Sequence, residues 1–152
     1  MITYEVKVEN GNAYWHVNGK LHREDGPAIE YADGDKRWFQ NNKLHREDGP
    51  AIEYPNGTKY WYQNGKLHRI DGPACEYENG DKYWYINGKL HRIDGPACEY
   101  ADGDKEWYIN AKYLTEEEFN NMLKKTIIID GKTIEISNES FNQLKESLVI
   151  ES

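Results

Sequence analysis

Residues 21–31 read LHREDGPAIEY, and near-copies of this stretch begin again at Leu44, Leu67 and Leu90. The last two copies read LHRIDGPACEY, and each copy starts 23 residues after the one before it. A fixed period of this length is typical of small units that stack so that each contacts only its neighbours. A tryptophan repeats with the same spacing, at Trp15, Trp38, Trp61, Trp84 and Trp107. The sequence therefore predicts a tandem repeat array.

Each repeat contains two turn signals. The first is Asp-Gly or Asn-Gly, as in Asp33-Gly34, and the second is Asn-Gly, as in Asn64-Gly65. These dipeptides favour the positive φ angles of type I′ turns, which join antiparallel strands through two-residue loops. The second signal is weaker in Asn110-Ala111, where alanine replaces glycine, so we expect the regular array to end near that point.

Two-residue loops at both turns define a register for the strands. Ile29 then lies opposite Trp38, and Trp38 lies opposite His45, all on one face. Phe39 and Arg46 lie on the other face. The predicted structural core of the repeats comprises Trp15, Trp38, Trp61, Trp84, Trp107, Ile29, Ile52, Cys75 and Cys98.

The chain is expected to form two parts with different patterns. Residues 1–112 are predicted to be a five-copy β-hairpin repeat array with a degenerate first copy, and residues 113–152 an αββα module. In the module, Thr115 and Glu118 form a capping box before a helix. A hairpin around Asp130-Gly131 and a last helix with Phe141, Leu144 and Leu148 on one side follow. The predicted fold is mainly β: an elongated antiparallel β-hairpin repeat array with a 23-residue period and a small C-terminal α+β cap.

Composition and charge exclude several classes of partner. The formal net charge is −8 and charged residues make up 30% of the chain. An acidic surface repels nucleic-acid backbones and anionic lipids, so we expect neither a direct nucleic-acid partner nor a membrane partner. The first ten residues lack the apolar segment of a signal peptide, and no apolar run is long enough to cross a bilayer. These features favour a cytoplasmic protein of a bacterial host.

The two cysteines occupy equivalent positions in two repeats. Cys75 and Cys98 stand where Ile29 and Ile52 stand in the other copies, which indicates that the position requires an apolar side chain. We expect two free, buried thiols in a reducing compartment, with a disulfide between adjacent repeats as the alternative.

The repeated His-Arg-x-Asp segment has the same residue types as part of the catalytic loop of protein kinases, and the similarity ends there. The chain lacks the glycine-rich loop, the strand lysine and the Asp-Phe-Gly motif that kinase chemistry requires. Cys75, Cys98, His68 and His91 lack the spacing of a zinc site. We therefore expect no catalytic residues, no metal and no cofactor. In the structural interpretation, the histidine stacks on tryptophan, the arginine pairs with glutamate across strands, and the aspartate caps the Gly-Pro turn.

The wording W-Y-x-N-G-K-L-H-R-x-D-G-P-A, with its period and two hairpin turns, resembles the MORN-repeat variants. These include repeat proteins described as YwqK-like antitoxins and similar phage-encoded proteins. The resemblance covers roughly residues 4–112. It implies a non-catalytic scaffold that binds proteins and, in some members, phospholipids. Lipid binding in that family relies on basic surfaces, which the acidic balance of this chain disfavours.

A single-layer sheet leaves one of two rows of side chains open to a partner. One row carries the Trp, Ile and His side chains, and the other carries aromatic and arginine side chains, the types enriched in binding hot spots. We predict that the second row binds the partner. Its members are Phe39, Tyr62, Tyr85, Tyr108, Arg46, Arg69 and Arg92.

The leading functional hypothesis is a non-catalytic repeat scaffold that binds a protein partner. A compact acidic binder suits a phage-encoded inhibitor of a bacterial defence protein, because it could cover a nucleic-acid surface. The alternatives are a protein that captures a small ligand, such as a nucleotide signal or a glycan, and a YwqK-like antitoxin. The sequence leaves the oligomeric state and the identity of the partner open.

Overall fold

The computed structural model describes residues 2–129, 132–137, 140 and 143. The chain divides into two compact units, Met1–Tyr113 and Leu114–Ser152. Antiparallel hairpins in a long sheet dominate the first unit, and one short helix follows, which confirms the predicted mainly β repeat fold. None of the helices in the described part has the length and apolar character needed to span a membrane.

Most strands of the repeat array are only two residues long. In chain order the strands are β1 Glu5–Glu9, β2 Asn12–Val17, β3 Lys20–Leu21, β4 Ile29–Glu30, β5 Lys36–Arg37, β6 Phe39–Gln40, β7 Lys43–Leu44, β8 Ile52–Glu53, β9 Lys59–Tyr60, β10 Tyr62–Gln63, β11 Lys66–Leu67, β12 Cys75–Glu76, β13 Lys82–Tyr83, β14 Tyr85–Ile86, β15 Lys89–Leu90, β16 Cys98–Glu99, β17 Lys105–Ile109 and β18 Lys112–Leu114.

Twelve of these strands form one long sheet. Its order is β1-β2-β4-β5-β8-β9-β12-β13-β16-β17-β18, with β3 beside β2. The remaining strands form separate two-stranded hairpins, β6-β7, β10-β11 and β14-β15. Each regular repeat therefore contains one hairpin that belongs to the long sheet and a second hairpin beside it.

The first hairpin of each regular repeat has a three-residue loop. Tyr31 N–H donates to the Asp35 carbonyl oxygen at 2.9 Å, and Gly34 N–H donates to the Tyr31 carbonyl oxygen at 2.9 Å. Gly34 has a φ of 95°, the left-handed conformation that follows a type I turn in three-residue hairpin loops. Asp33 Oδ1 accepts a hydrogen bond from Asp35 N–H at 3.1 Å, which stabilises the loop.

This loop makes the predicted register of the first hairpin wrong by one residue. Ile29 pairs with Arg37 and not with Trp38, and Cys75 likewise pairs with Tyr83. The prediction assumed two-residue loops, whereas the third loop residue moves every pair by one position. A shift of one residue exchanges the two faces of a strand.

The degenerate first copy has the two-residue loop and the register that were predicted for the first hairpin of every copy. Asn10-Gly11 forms a two-residue loop with φ angles of 51° and 81°. Val6 therefore pairs with Trp15. The side chains of Val6 and Val8 are 50% and 69% exposed, so this terminal hairpin contributes little to the core.

The second hairpin of each repeat has the predicted two-residue loop. Phe39 pairs with Leu44 across the Asn41-Asn42 turn, and His45 N–H donates to the Trp38 carbonyl oxygen at 3.0 Å. The predicted pairing of Trp38 with His45 is thus confirmed. Ala111 also adopts a positive φ of 66°, so the last turn forms despite its unfavourable residue.

The first four tryptophans connect the two kinds of hairpin through their backbone, namely Trp15, Trp38, Trp61 and Trp84. Trp38 N–H donates to the Ala51 carbonyl oxygen at 2.8 Å, which continues the long sheet, while the Trp38 carbonyl oxygen accepts from His45 in the second hairpin. Second hairpins of successive repeats also bond to each other, as Gly65 N–H donates to the Leu44 carbonyl oxygen at 2.8 Å. The chain therefore passes between two hydrogen-bonded rows at each of these four tryptophans.

The core of the array is narrow and consists of small side chains. It is formed by the Ala-Ile or Ala-Cys pair that follows each Asp-Gly-Pro, and Ala28 and Ala51 are fully buried. The members of this core are Ala28, Ile29, Ala51, Ile52, Ala74, Cys75, Ala97 and Cys98. The five tryptophans of the predicted core are only half-buried.

The second unit contains the predicted capped helix and hairpin. Helix α1 spans Glu116–Met122, Thr115 Oγ1 accepts from Glu118 N–H at 3.2 Å, and Glu118 accepts from Thr115 N–H at 2.8 Å. Phe119 is buried. Strands β19 Lys125–Ile129 and β20 Lys132–Ile136 pair in antiparallel fashion. The predicted Asp130-Gly131 turn and the residues Phe141, Leu144 and Leu148 of the predicted last helix lie outside the described residues.

Candidate functional site

Four equivalent loops form the most regular surface feature of the array. We call residues 22–27, 45–50, 68–73 and 91–96 the loop row; each reads His-Arg-x-Asp-Gly-Pro. In each loop the arginine lies over the indole ring of the preceding tryptophan. The distance from Cζ to the ring centroid is 4.1 Å for Arg46 over Trp38 and 4.0 Å for Arg92 over Trp84. At such distances the ring attracts the cation.

The guanidinium group of each loop arginine also bonds to two carboxylates and a carbonyl. Arg46 Nε donates to Asp48 at 2.9 Å, and Nη1 donates to Glu53 at 2.9 Å and to the Pro50 carbonyl oxygen at 3.2 Å. The predicted pairing of arginine with glutamate is confirmed. Because two acidic partners already neutralise each arginine, the loop row offers no free cation to a phosphate.

The arginine leaves little space beside the glycine of each loop. A Cβ atom would lie 2.8 Å from Arg46 Cζ at Gly49, 2.9 Å from Arg69 Cζ at Gly72 and 3.1 Å from Arg92 Cζ at Gly95. A larger residue would therefore have to displace the guanidinium from its partners. The arginine also lowers the pKa of the aspartate between them, chiefly through its hydrogen bond, at Asp48 and at Asp71.

The histidine of each loop connects one repeat to the next. Asn64 N–H donates to Nδ1 of His45 at 3.1 Å, and Asn87 N–H donates to Nδ1 of His68 at 3.1 Å. The acceptor nitrogen carries no proton, so the ring is in its Nε2–H form when it makes this bond. The arginine lies over the same indole ring, and the predicted stacking of the histidine on that tryptophan stays a prediction.

The predicted partner-binding row does not form as one surface. Arg46, Arg69 and Arg92 lie with the tryptophans of the loop row, whereas Tyr62 and Tyr85 lie beside Ile52, Cys75 and other tyrosines. Phe39 and Tyr108 are also half-buried. The one-residue shift in the first hairpin moves the tyrosines to the Ile/Cys side. The arginines have a different reason, since each follows the last strand of its second hairpin and the loop places it over the tryptophan.

Tyr62 and Tyr85 line a concavity of about 360 Å³ on the Ile/Cys side. Its walls are formed by Ile52, Leu67, Cys75 and six tyrosines, Tyr54, Tyr60, Tyr62, Tyr77, Tyr83 and Tyr85. Burial raises the pKa of Tyr85 to about 12, so its hydroxyl stays protonated near neutral pH.

A ladder of edge-to-face tyrosines, not predicted from the sequence, runs beside this concavity. The ring centroids of Tyr60 and Tyr77 are 5.5 Å apart, as are those of Tyr77 and Tyr83. Tyr54 and Tyr100 extend the ladder at its two ends. Arg37 occupies the position of Tyr60 in the preceding repeat and lies over the Tyr31 ring at 4.9 Å. The signal was the 23-residue spacing of these tyrosines, which the assumed register placed on different faces.

Both cysteines are free and buried, as predicted. Burial raises the pKa of the Cys75 thiol to about 12. It is also the largest cause of the rise in the pKa of the Cys98 thiol to about 12. A thiol with so high a pKa is a poor nucleophile and metal ligand. These positions therefore act as apolar core positions.

Solvent-open grooves separate successive loops of the loop row. The groove between the first two loops has a volume of about 720 Å³, the next about 400 Å³, and the groove between the third and fourth loops about 770 Å³. Each groove contains one tryptophan, namely Trp38, Trp61 and Trp84 in turn. The array thus presents the same type of groove three times in a row.

In the part of the chain that the structure describes, no group of three or more His, Cys, Asp or Glu side chains is placed to hold a metal ion. Comparisons with protein-family models, with curated proteins and with solved structures found no match to this chain.

Proposed function

We propose that this chain is a non-catalytic repeat scaffold that binds a protein partner through the loop row. The observation that supports this function is the threefold repetition of an open groove, each lined by one tryptophan and by carboxylates. A row of similar grooves suits an elongated partner, which contacts several repeats at once. Tryptophan and arginine are the residue types that most often dominate binding energy.

The electrostatics of the loop row support a partner with a basic surface. The side chains of Asp48, Asp71 and Asp94 are 85%, 84% and 78% exposed, and the adjacent arginines are already paired. The formal net charge of the chain is −8. An acidic protein that covers a basic surface competes with nucleic acid for it. We therefore propose an inhibitory role against a nucleic-acid-binding protein, such as a bacterial defence nuclease.

Affinity capture from a bacterial lysate tests this function. The tagged chain should retain a stoichiometric protein, and raising the salt concentration should weaken the complex because exposed charges are screened. A control variant with Lys43→Gln and Lys66→Gln should retain the same protein, because both lysines lie at turns of the second hairpins and outside the loop row. Absence of any stoichiometric protein would refute the scaffold function. Capture of a protein whose nucleic-acid binding is unaffected would refute the inhibitory role alone.

The tyrosine-lined concavity supports a second candidate function, the capture of a small ligand. Its volume of about 360 Å³ lies within the range of small-molecule sites, and tyrosine rings stack on planar bases and sugars. A thermal-shift series with nucleotides and sugars tests this function, with Tyr77→Ala as the control because Tyr77 lines the concavity and is 40% exposed. If no compound raises the melting temperature, this function is excluded.

A further inference from the structure

The four loops of the loop row differ at a single position. The residue after the arginine is Glu24 and Glu47 in the first two loops, and Ile70 and Ile93 in the last two. Ile70 is 84% exposed and Ile93 is 63% exposed. Because the same loop accepts glutamate, folding does not require isoleucine there. Neighbouring exposed aliphatic side chains that folding does not use are typical of a contact surface.

The groove between the third and fourth loops is the one in which these isoleucines meet. Ile70 and Ile93 line it from the two loops, and Ile86 lines it beside Trp84. In the groove between the first two loops, glutamates replace the loop isoleucines and Gln40 stands at the position of Ile86. The loop row is therefore polar and acidic at one end and aliphatic at the other.

The charges around the aliphatic groove favour a cationic neighbour. Asp71 and Asp94 line the groove and are mostly exposed. Arg69 and Arg92 also line it, but each is bonded to an aspartate and a glutamate, as for Arg69 with Asp71 and Glu76. The net charge of the loop row is negative, and the first two loops are more negative because they add Glu24 and Glu47.

We propose, as an extension of the proposed function, that this groove binds a protein segment with aliphatic side chains next to lysine or arginine. The aliphatic side chains pack between Ile70 and Ile93, and the basic residues lie against Asp71 and Asp94 and along the row toward Glu47. The row is asymmetric in both hydrophobicity and charge, so the segment binds in one direction. A second copy of this chain is a worse occupant, because it would bring exposed carboxylates of two loop rows together.

Selection from a random-peptide display library tests this proposal. The wild-type chain is compared with I70E/I93E, which gives the last two loops the native residue of the first two. We expect the wild type to enrich peptides that combine Leu, Ile, Val or Phe with Lys or Arg. An enriched peptide should bind I70E/I93E at least about tenfold more weakly, since one buried isoleucine contributes about that factor.

A second exchange controls for the folding of the first. E24I/E47I gives the first two loops the residue of the last two and keeps Ile70, Ile93, Asp71 and Asp94. It should bind the same peptides more tightly than I70E/I93E does, and the loss of Glu47 should weaken binding only for peptides whose basic residues extend toward it. Thermal unfolding should give equal melting temperatures for all three chains, because every exchanged residue is native to the same loop. Should I70E/I93E unfold, single I70E serves in its place.

Several outcomes overturn the proposal. It is wrong if the library yields acidic peptides or no enriched peptide at all. It is also wrong if the wild type and I70E/I93E bind an enriched peptide equally. A dimer of the wild type that I70E/I93E abolishes, seen by analytical ultracentrifugation, assigns the groove to a second copy instead. A lysate partner that binds the wild type and I70E/I93E equally refutes this groove while the scaffold function stands.

Discussion

Replacement of Arg69 by methionine removes one complete stack from the centre of the array. The methionine keeps much of the aliphatic stem that covers Trp61 but loses the guanidinium, which lies 4.1 Å from the ring centroid and bonds to the Pro73 carbonyl oxygen at 3.2 Å. The side chain of Arg69 is 23% exposed, so these contacts are partly shielded from water.

The expected loss of stability follows from the individual contacts. The stacking of the cation on the indole contributes about 1 kcal/mol. The charged hydrogen bond to the Pro73 carbonyl contributes about 1.5 kcal/mol. The ion pair with the half-exposed Glu76 contributes about 0.5 kcal/mol. We assign no energy to the pair with the exposed Asp71. The free energy of unfolding should therefore fall by about 3 kcal/mol.

Equilibrium unfolding in urea, followed by tryptophan fluorescence, measures this change. Lys66→Met is the matched control, because Lys66 is an exposed cation on the neighbouring turn, and it should change the free energy of unfolding by less than about 0.5 kcal/mol. If Arg69→Met and Lys66→Met have the same small effect, the stacks do not stabilise the array and the description of the loop row is wrong.

Three further predictions concern the turns and the core. Gly72→Ala should lower the free energy of unfolding by about 2 kcal/mol, because its Cβ displaces the Arg69 guanidinium. In the Arg69→Met background the same change should cost much less. Equal costs in both backgrounds would contradict this contact. Ala111→Gly should raise stability by about 1 kcal/mol, because alanine is strained at a φ of 66°, and an unchanged urea midpoint would contradict that strain. Folding raises the pKa of the Cys75 thiol from 9.0 to about 12, so its contribution is complete below pH 9 and is lost as the pH rises from 9 toward 12. The double variant Cys75→Ile with Cys98→Ile carries the residue found at the equivalent positions of the first two repeats. It should reduce the loss of unfolding free energy above pH 9, measured by unfolding at a series of pH values. An unchanged dependence of the unfolding free energy on pH would contradict the role of the thiols.

The sequence predicts the second hairpin of each repeat correctly because its chemistry allows one solution. Asn64-Gly65 places two residues with positive φ in succession, which defines a two-residue type I′ loop and the pairing around it. The register of Tyr62 with Leu67 then follows by counting. The capping box at Thr115 was equally predictable, because it depends on residues three positions apart.

The first hairpin was not predictable at the same level, because Asp-Gly is compatible with two loop lengths. Asp33-Gly34 can supply a two-residue loop or the last two positions of a three-residue loop, and the second alternative forms. The difference of one residue determines which side chains share a face. It explains why the predicted register places Tyr62 and Tyr85 on the face opposite Cys75, although the structure places them beside it.

Of the predicted partner-binding residues, only the arginines belong to the loop row, namely Arg46, Arg69 and Arg92. Exposed Ile70 and Ile93 are visible in the sequence only as substitutions for Glu24 and Glu47, and their exposure depends on how the loops project. The stacking of Arg46 on Trp38 also requires the three-dimensional path of the loop, because the two residues are eight positions apart in the chain.

The backbone bond between second hairpins has a consequence for the length of the array. The same donor and acceptor positions recur at each junction, from Asn42 to Leu21, Gly65 to Leu44, Gly88 to Leu67 and Ala111 to Leu90. Excision of one period, such as residues 44–66, brings together two ends that already match in geometry. Shorter or longer versions of this protein therefore need no new contacts, and genetic duplication or loss of a period changes the number of grooves without disturbing those that remain.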